Sequence, residues 1–489
     1  MLGLGLALGL SRPRVTSGGG SVAGSTRPDF SSLGLSQLFL YHPHTDTVGK
    51  TGAQVTTVTG AGGSPNLTTS GTGPDEVTYA NGLKAWRFED TDWLDLPTSF
   101  ASSTRSLTVI MVGRMHKSQT TVNFFGHSFQ SDGVTVANTL GGFMSCAVNT
   151  NSAPFLKCGG IYTHTDAANA KFGVMGSQVS VVGVASRTTA NGGCRWFNSG
   201  NTMTTAQIGT SIVGAKGGRI GGYLNSNGST NGFDLLCMVA FDGELTNTQF
   251  DNACALLMSH YSVSTFTKNY VIEGDSIDDG ITLVTSGSTV SMAITEPGLG
   301  LIPADVRVLN MAKSGSQVIA AAQNMTTRRD ATNGWPAILV SGGSTNNRLF
   351  YQIGRNDSAA GGLNETQIRD RIVTFNSEVT TGMFARGWNV TVGVNIANGS
   401  MAVIGPLRTL IRDATFMTLH DAQAGGANDG RLATLELPFI EYAGARRFDL
   451  STDTADTTYY QDTTHPGILG TAVMGTGGTT PQYGIASVY

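Results

Sequence analysis

The sequence predicts two domains of different class: an all-β sandwich in the first half and an α/β domain with a largely parallel sheet in the second. Three observations predict this. The chain has 489 residues and is 40% hydrophobic, more than a single core accommodates. Up to Tyr261, short runs rich in β-branched and aromatic residues alternate with Gly, Asn, Ser and Thr clusters, the pattern of many short strands. Beyond Tyr261, apolar runs of strand length take turns with stretches of helical period, the pattern of βαβ units.

Composition excludes several classes. Sixty-five glycines and only 13% charged residues describe a turn-rich, uncharged chain, where a soluble protein usually carries ~25% charge. Disordered chains and coiled-coil rods need more charge or strict periodicity. A formal net charge of −4 without basic clusters gives no electrostatic footprint for nucleic acid. No stretch reaches the ~18 apolar residues of a membrane span. Five cysteines (Cys146, Cys158, Cys194, Cys237, Cys254) without a CxxC pair read as buried thiols, although Cys146 and Cys158 could face each other across a hairpin. No His/Cys/acid cluster has metal spacing, so neither a metal nor a cofactor is expected.

Taken in order, residues 1–32 read as an N-terminal arm and linker. MLGLGLALGL is short and alternates Leu with Gly, and its positive charges follow the apolar run, so it reads as an exposed apolar arm, with a secretory signal as the alternative. Residues 11–32 are Gly/Ser-rich and read as a flexible connector. Residues 33–262 carry the strand runs AWRFEDTDWLDL, SLTVIMVGRM, VNFFGHSF, GGFMSCAV, QVSVVGVASR, CRWFNSG, GGRIGGYL and FDLLCMVAFDGEL. Apolar residues at Phe250, Ala253, Cys254 and Leu257 then define one closing helix, capped by Thr246 or Asn247. Glu89, Asp90, Asp92 and Asp95 form the acidic cluster of this half and read as solvated loop acids, and no catalysis is expected there. His42, His44, His116, His127, His164 and His260 read as ordinary, partly exposed histidines.

The order of those runs resembles the concanavalin A-like, laminin-G-like jelly rolls, which implies two stacked antiparallel sheets and glycan or protein binding.

Residues 268–474 are the α/β domain, with strands in KNYVIE, VRVLNMA, RLFYQIG, NVTVGVNIA and FIEYAGARRF, and helices in QVIAAAQNMTTRRD and TQIRDRIVTFNSEVTTGMFARG. Functional groups of such sheets gather at the carboxyl ends of the strands. There lie Gly274-Asp275-Ser276, Ser314-Gly315-Ser316 and Gly354-Arg355-Asn356-Asp357, with Asp462-Thr463-Thr464-His465-Pro466 near the end. Residues 475–489 are a C-terminal tail, either disordered or a pairing strand.

The residue types suit acyl transfer. A serine hydroxyl needs a neighbouring base, and imidazole, ordinarily titrating near ~6.5, suits that role at neutral pH. Asp462, three residues before His465, can hold the imidazole in the required tautomer on a helical turn. Pro466 restrains the backbone of His465 and suits a helix start. His420 is followed by Asp421, but adjacent side chains do not face one another on a helix. Asp278 and Asp279 read as favouring the positive end of a following helix, and Lys313 as a solvated rim charge.

The four blocks in this order resemble the SGNH (GDSL-type) hydrolases, a flavodoxin-like three-layer fold. The resemblance implies a catalytic triad of Ser276, Asp462 and His465. It implies an oxyanion hole from the N–H groups of Ser276 and Gly315 and the Asn356 amide, with Gly274, Asp275, Gly354, Asp357 and Pro466 as motif support. Ester hydrolysis follows, and the neighbouring sandwich tilts the substrate to O-acetyl groups of a bacterial surface polysaccharide. The N-terminal arm is similar to the opening of bacteriophage tail proteins, which implies a virion tail fibre or spike, docked to other tail or baseplate proteins through the arm and assembled as a homotrimer. The alternatives are an inactive receptor-binding virion protein and a secreted lipase with 281–303 as its lid.

Overall fold

The computed structural model describes residues 22–101, 107–116, 122–126, 142–147, 155–158, 161–162, 175–187, 193–204, 216–222, 231–279, 289–318, 325–326, 339–393, 406–407, 410, 432–433, 465, 468–476 and 486. They form two units, one ending at Phe266 and the other starting at Thr267.

In the first unit the described strands join one antiparallel network. Its central strands are Leu107–Met115, Ser180–Ala185 and Asn231–Asp242, the first paired with both others. Side chains alternate across a strand, and here both faces are covered. Val109, Met111, Val182, Val184, Met238 and Ala240 enter one apolar layer. Ile110, Val112, Val181, Ala185, Val239 and Phe241 enter another, beneath the helix Asn247–Tyr261. The alternation of Asn231–Asp242 slips once. Leu235 belongs to the first layer, Leu236 and Cys237 both to the second, and Met238 to the first again, where the register with Leu107–Met115 shifts between Leu235 and Cys237. A bulge thus keeps both halves of the strand in phase with their layers. The closing helix carries the anticipated stripe of Phe250, Ala253, Cys254 and Leu257, and its cap is Thr246, in a capping box with Gln249.

Several expectations for this unit need correction. Residues 22–32 are not a free connector: Phe30 is buried and meets Phe241 edge-on at 5.3 Å, Gly24 lies against the Tyr261 ring, and Arg27 pairs with Asp46. The run AWRFEDTDWLDL is two strands, Lys84–Asp90 and Leu94–Ala101, because Asp92 makes a turn by accepting the Glu89 N–H at 2.9 Å. Asp92 is therefore buried, and Asp95 is held by Arg219 at 2.8 Å. Cys146 stands opposite Leu156 and Cys158 opposite Met144, so these cysteines are not direct cross-strand partners. His42 and His116 are fully buried. His127, His164, His420 and Asp421 lie outside the described residues.

His116 belongs to a buried ionic network. Asp234 Oδ1 accepts from Arg87 Nε and His116 Nε2, both at 2.8 Å, and Oδ2 accepts from the Tyr79 hydroxyl at 2.8 Å and Arg87 Nη2 at 2.9 Å. Burial alone would raise the Asp234 carboxyl, but Arg87 and His116 outweigh it and hold it well below the usual carboxylate range. For His116 burial prevails over the pull of Asp234 and depresses the imidazole to about 4.

The second unit is built on a five-stranded sheet, and all its described pairings are parallel. Numbering its strands along the chain as Lys268–Gly274, Val306–Asn310, Asn347–Gln352, Asn389–Gly393 and Leu432–Ala433, their spatial order is 2-1-3-4-5. This is the flavodoxin-like order, whose crevice opens between strands 1 and 3. The expected strand at 439–448 lies outside the described residues. The helix Glu365–Ser377 has an Asn364/Gln367 capping box and buries Ile368, Ile372 and Phe375. It stops well before Gly387, because the β-branched Val379-Thr380-Thr381 run and Gly382 follow.

Candidate active site

Ser276 lies two residues beyond Gly274, the last residue of strand Lys268–Gly274, and opens the short helix Ser276–Asp279. Its Oγ is 2.9 Å from Nε2 of His465. The two residues are 189 positions apart in the chain, so tertiary structure alone brings them together. His465 shortly precedes the helix Ile468–Thr476, which packs against the helix Val290–Ile294. Gly475 marks the contact: a Cβ there would stand 3.0 Å from Ile294 Cγ2. Val290, Met292 and Ile294 are buried in this packing, so these residues of the segment considered as a lid are core. Asp462 and Pro466 lie outside the described residues.

The loop after strand Val306–Asn310 reaches the same place. Met311 N–H donates to the Ile272 carbonyl at 2.8 Å and Lys313 N–H to the Gly274 carbonyl at 3.3 Å. Gly315 follows, exposed and with φ of 74°, a backbone conformation that disfavours a side chain. Among the described residues, and apart from its two chain neighbours, no atom lies within 4 Å of where its Cβ would stand. The glycine is thus favoured by its backbone angle and not by close packing among the described residues.

Asn356 begins the third loop, in the helix Arg355–Ala359 that Gly354 introduces with φ of 126°. Its Nδ2 donates one hydrogen to the Ser316 carbonyl at 3.1 Å. An amide nitrogen carries two hydrogens, which leaves one for a substrate oxygen. Asp357 is buried, with its carboxylate accepting from Val318 N–H at 3.2 Å and from Arg371 Nη1 at 3.2 Å. Burial raises its carboxyl, partly offset by Val318 N–H and Arg371.

Around Ser276 the acids are more deeply buried than a turn motif implies. Asp275 is 2% exposed, and its Oδ1 accepts the Ile277 N–H at 3.0 Å. Burial pushes its carboxyl up to about 6, against the opposing pull of Ile277 N–H, Arg355 and His465. Asp278 is not a solvated helix-end charge. It is fully buried, and its carboxylate lies so close to Gly274 that a Cβ there would be 2.2 Å from Oδ2. Glu273 is also fully buried. Sequence reasoning passed over Gln317 and Arg371; an acid in a strand-end motif with an arginine two helical turns beyond its N-cap was the available signal for Arg371. Among the described residues no group of three His, Cys, Asp or Glu is arranged to hold a metal ion.

Together these loops set a serine hydroxyl beside an imidazole, with candidate N–H donors on two further strand-end loops. Such an arrangement can activate a hydroxyl and receive charge developing on a carbonyl oxygen.

No protein-family model and no curated protein matches the chain. Among solved structures it is similar to a lipolytic protein of the G-D-S-L family from Desulfitobacterium hafniense, at 11% identity, covering 42% of this chain and 95% of that one, with a TM-score of 0.29. It is also similar to domain 4 of an extracellular arabinanase from Geobacillus stearothermophilus, solved with arabinotriose, at 14% identity, covering 45% and 98%, with a TM-score of 0.30. A Bacillus subtilis protein is similar along 94% of this chain and 93% of its own, at 11% identity and a TM-score of 0.31. At such scores the site is read from its own residues.

Proposed function

We propose that the chain is a serine hydrolase acting on carboxylic esters, with a site of SGNH type in the parallel-sheet unit and a concanavalin A-like jelly roll before it. The observation that carries the proposal is the 2.9 Å approach of Ser276 Oγ to His465 Nε2 at the carboxyl end of the first parallel strand. In this reading the Ser276 hydroxyl passes its proton to Nε2 as Oγ attacks the ester carbonyl. The oxyanion is received by the N–H groups of Ser276 and Gly315 and the free amide hydrogen of Asn356. His465 returns the proton to the departing alcohol, leaving an acyl-serine. Water then attacks the acyl group, giving its proton to His465, and Ser276 regains a proton as the carboxylic acid leaves. Asp462 is assigned the Nδ1 proton of His465.

Ser276→Ala should abolish hydrolysis of p-nitrophenyl acetate with the circular dichroism spectrum unchanged. Turnover equal to wild type in that variant overturns the assignment. For the substrate we propose O-acetyl groups on a bacterial surface polysaccharide, because a β-domain that holds the polymer raises the concentration of ester near Ser276. Free acetate appearing in the NMR spectrum of an acetylated polysaccharide, in a Ser276-dependent manner, supports this; hydrolysis confined to long-chain acyl esters overturns it. The same proposal extends to a virion tail, docked through the apolar arm at residues 1–10 and trimeric; the oligomeric mass in solution tests the trimer.

A further inference from the structure

Gly315 has no side chain and, among the described residues, no close packing around its Cβ position, so the aim of its N–H is set by neighbouring hydrogen bonds. Before it, Lys313 N–H bonds to the Gly274 carbonyl, and Ser316 N–H closes a turn on the Lys313 carbonyl; beyond that turn, further bonds tie the loop to the third one. Asn356 Nδ2 donates to the Ser316 carbonyl, and in the opposite direction Gln317 Nε2 donates to the Asn356 carbonyl, each at 3.1 Å. The next residue, Val318, donates its N–H to both carboxylate oxygens of Asp357, each at 3.2 Å. Three consecutive residues of one loop are thereby bonded to two consecutive residues of the other. Asp357 is in turn held by Arg371, on the helix whose Ile368, Ile372 and Phe375 are fixed in the core. Gln317 is 6% exposed and Asp357 fully buried, so solvent does not compete effectively for either.

We infer that Gln317 and Asp357 are positioning residues that fix the spacing between the Gly315 N–H and the Asn356 amide. The inference rests on the ester-hydrolase reading of Ser276. Neither side chain touches the reacting atoms; each acts by clamping a loop that carries a donor. Loss of one oxyanion donor costs ~10²–10³ in turnover, and a misplacement of about 1 Å costs on the order of 10². Gln317→Leu, which keeps the approximate volume and removes the clamp, should therefore lower kcat by roughly 10- to 100-fold with KM little changed.

A merely structural role would lower the fraction of competent enzyme instead. The experiment therefore measures kcat and KM for p-nitrophenyl acetate per active site, titrated with a fluorophosphonate that phosphonylates Ser276 with loss of fluoride. It also measures inhibition by phenylboronic acid, whose anionic tetrahedral serine adduct places a boronate hydroxyl oxygen between the same donors. The expected result for Gln317→Leu, and for Asp357→Asn where that variant folds, is a fall in kcat per titrated site with a parallel rise in the boronate Ki. Unchanged kcat per site, or a fall in kcat with Ki unchanged, overturns the inference. Ser276→Ala run alongside separates the failures. If that variant is inactive while Gln317→Leu is normal, only the clamp is wrong; if it turns over like wild type, the ester-hydrolase reading falls and the clamp with it.

Discussion

Asp275→Asn should stabilise the parallel-sheet unit at neutral pH and leave it nearly unchanged in acid. The substitution keeps the shape of the side chain and the Oδ1 acceptor for the Ile277 N–H. What it removes is a charge. Burial raises the Asp275 carboxyl from 3.8 to about 6, so only the folded chain retains this proton between those pH values. The sign follows from that retention: the group's favourable contribution is fully present below pH 3.8 and is lost as pH rises through about 6. One pH unit of difference is worth about 1.4 kcal/mol, so ionising Asp275 costs the folded state about 3 kcal/mol at pH 7.5. For a domain of roughly 200 residues, 1 kcal/mol moves Tm by about 2–4 °C, which gives roughly 6–12 °C. Differential scanning calorimetry of the wild type and the variant, at pH 7.5 and at pH 4, reads the difference directly. A Tm gap that is equal at both pH values, or that favours the wild type at pH 7.5, refutes the reasoning. A carboxylate kept beside the proposed nucleophile at such a cost fits a site selected for chemistry over stability.

In the same sheet, Gly274→Ala would place a Cβ 2.2 Å from Asp278 Oδ2 and 2.9 Å from the Gln352 carbonyl; overpacking of this kind costs about 1–3 kcal/mol, and urea midpoints together with a fall of at least about tenfold in kcat should show both effects. In the antiparallel unit, Asp234→Asn leaves the Arg87 guanidinium without its buried carboxylate, for which a loss of about 3–5 kcal/mol is expected in the denaturant-unfolding transition of that unit; a change within experimental error would mean that solvent reaches the network.

Both domain classes were legible because each writes a short-range pattern. The strand of FDLLCMVAFDGEL and the helix stripe at Phe250, Ala253, Cys254 and Leu257 are readable within a dozen residues, and the strand-end motifs at Ser276, Gly315 and Asn356 follow apolar runs directly. The Asp234 network was not legible, since Tyr79, Arg87 and His116 lie 155, 147 and 118 residues from Asp234. A weak local trace existed: Asp234 and Arg114 interrupt otherwise apolar strands, and a charge in a strand covered on both faces requires a partner. The slip at Leu235–Cys237 was hidden for a different reason. LLCMVAF, residues 235–241, is apolar throughout, so its sequence shows no alternation from which a change of phase could be read.

The strand order explains why three of the four motifs converge with so little machinery. Strand 1 lies between strands 2 and 3, with Gly274 in register with Gln352, so the Ser276 and Asn356 loops leave neighbouring strands at the same level. Strand 2 runs parallel on the other side, and its continuation at Met311 and Lys313 still bonds to Ile272 and Gly274, which carries the ladder up to the Gly315 turn. Backbone pairing thus delivers the serine and the proposed donors without help from side chains. It leaves two quantities unset: the spacing of the two outer loops, which the Gln317 and Asp357 bonds supply, and the approach of the imidazole. His465 belongs to no described strand of this ladder; among the described elements, the helix Ile468–Thr476 that follows it packs on Val290–Ile294. A protein built this way can lose its proposed general base while its sheet stays intact, so damage to that helix pair should separate activity from folding.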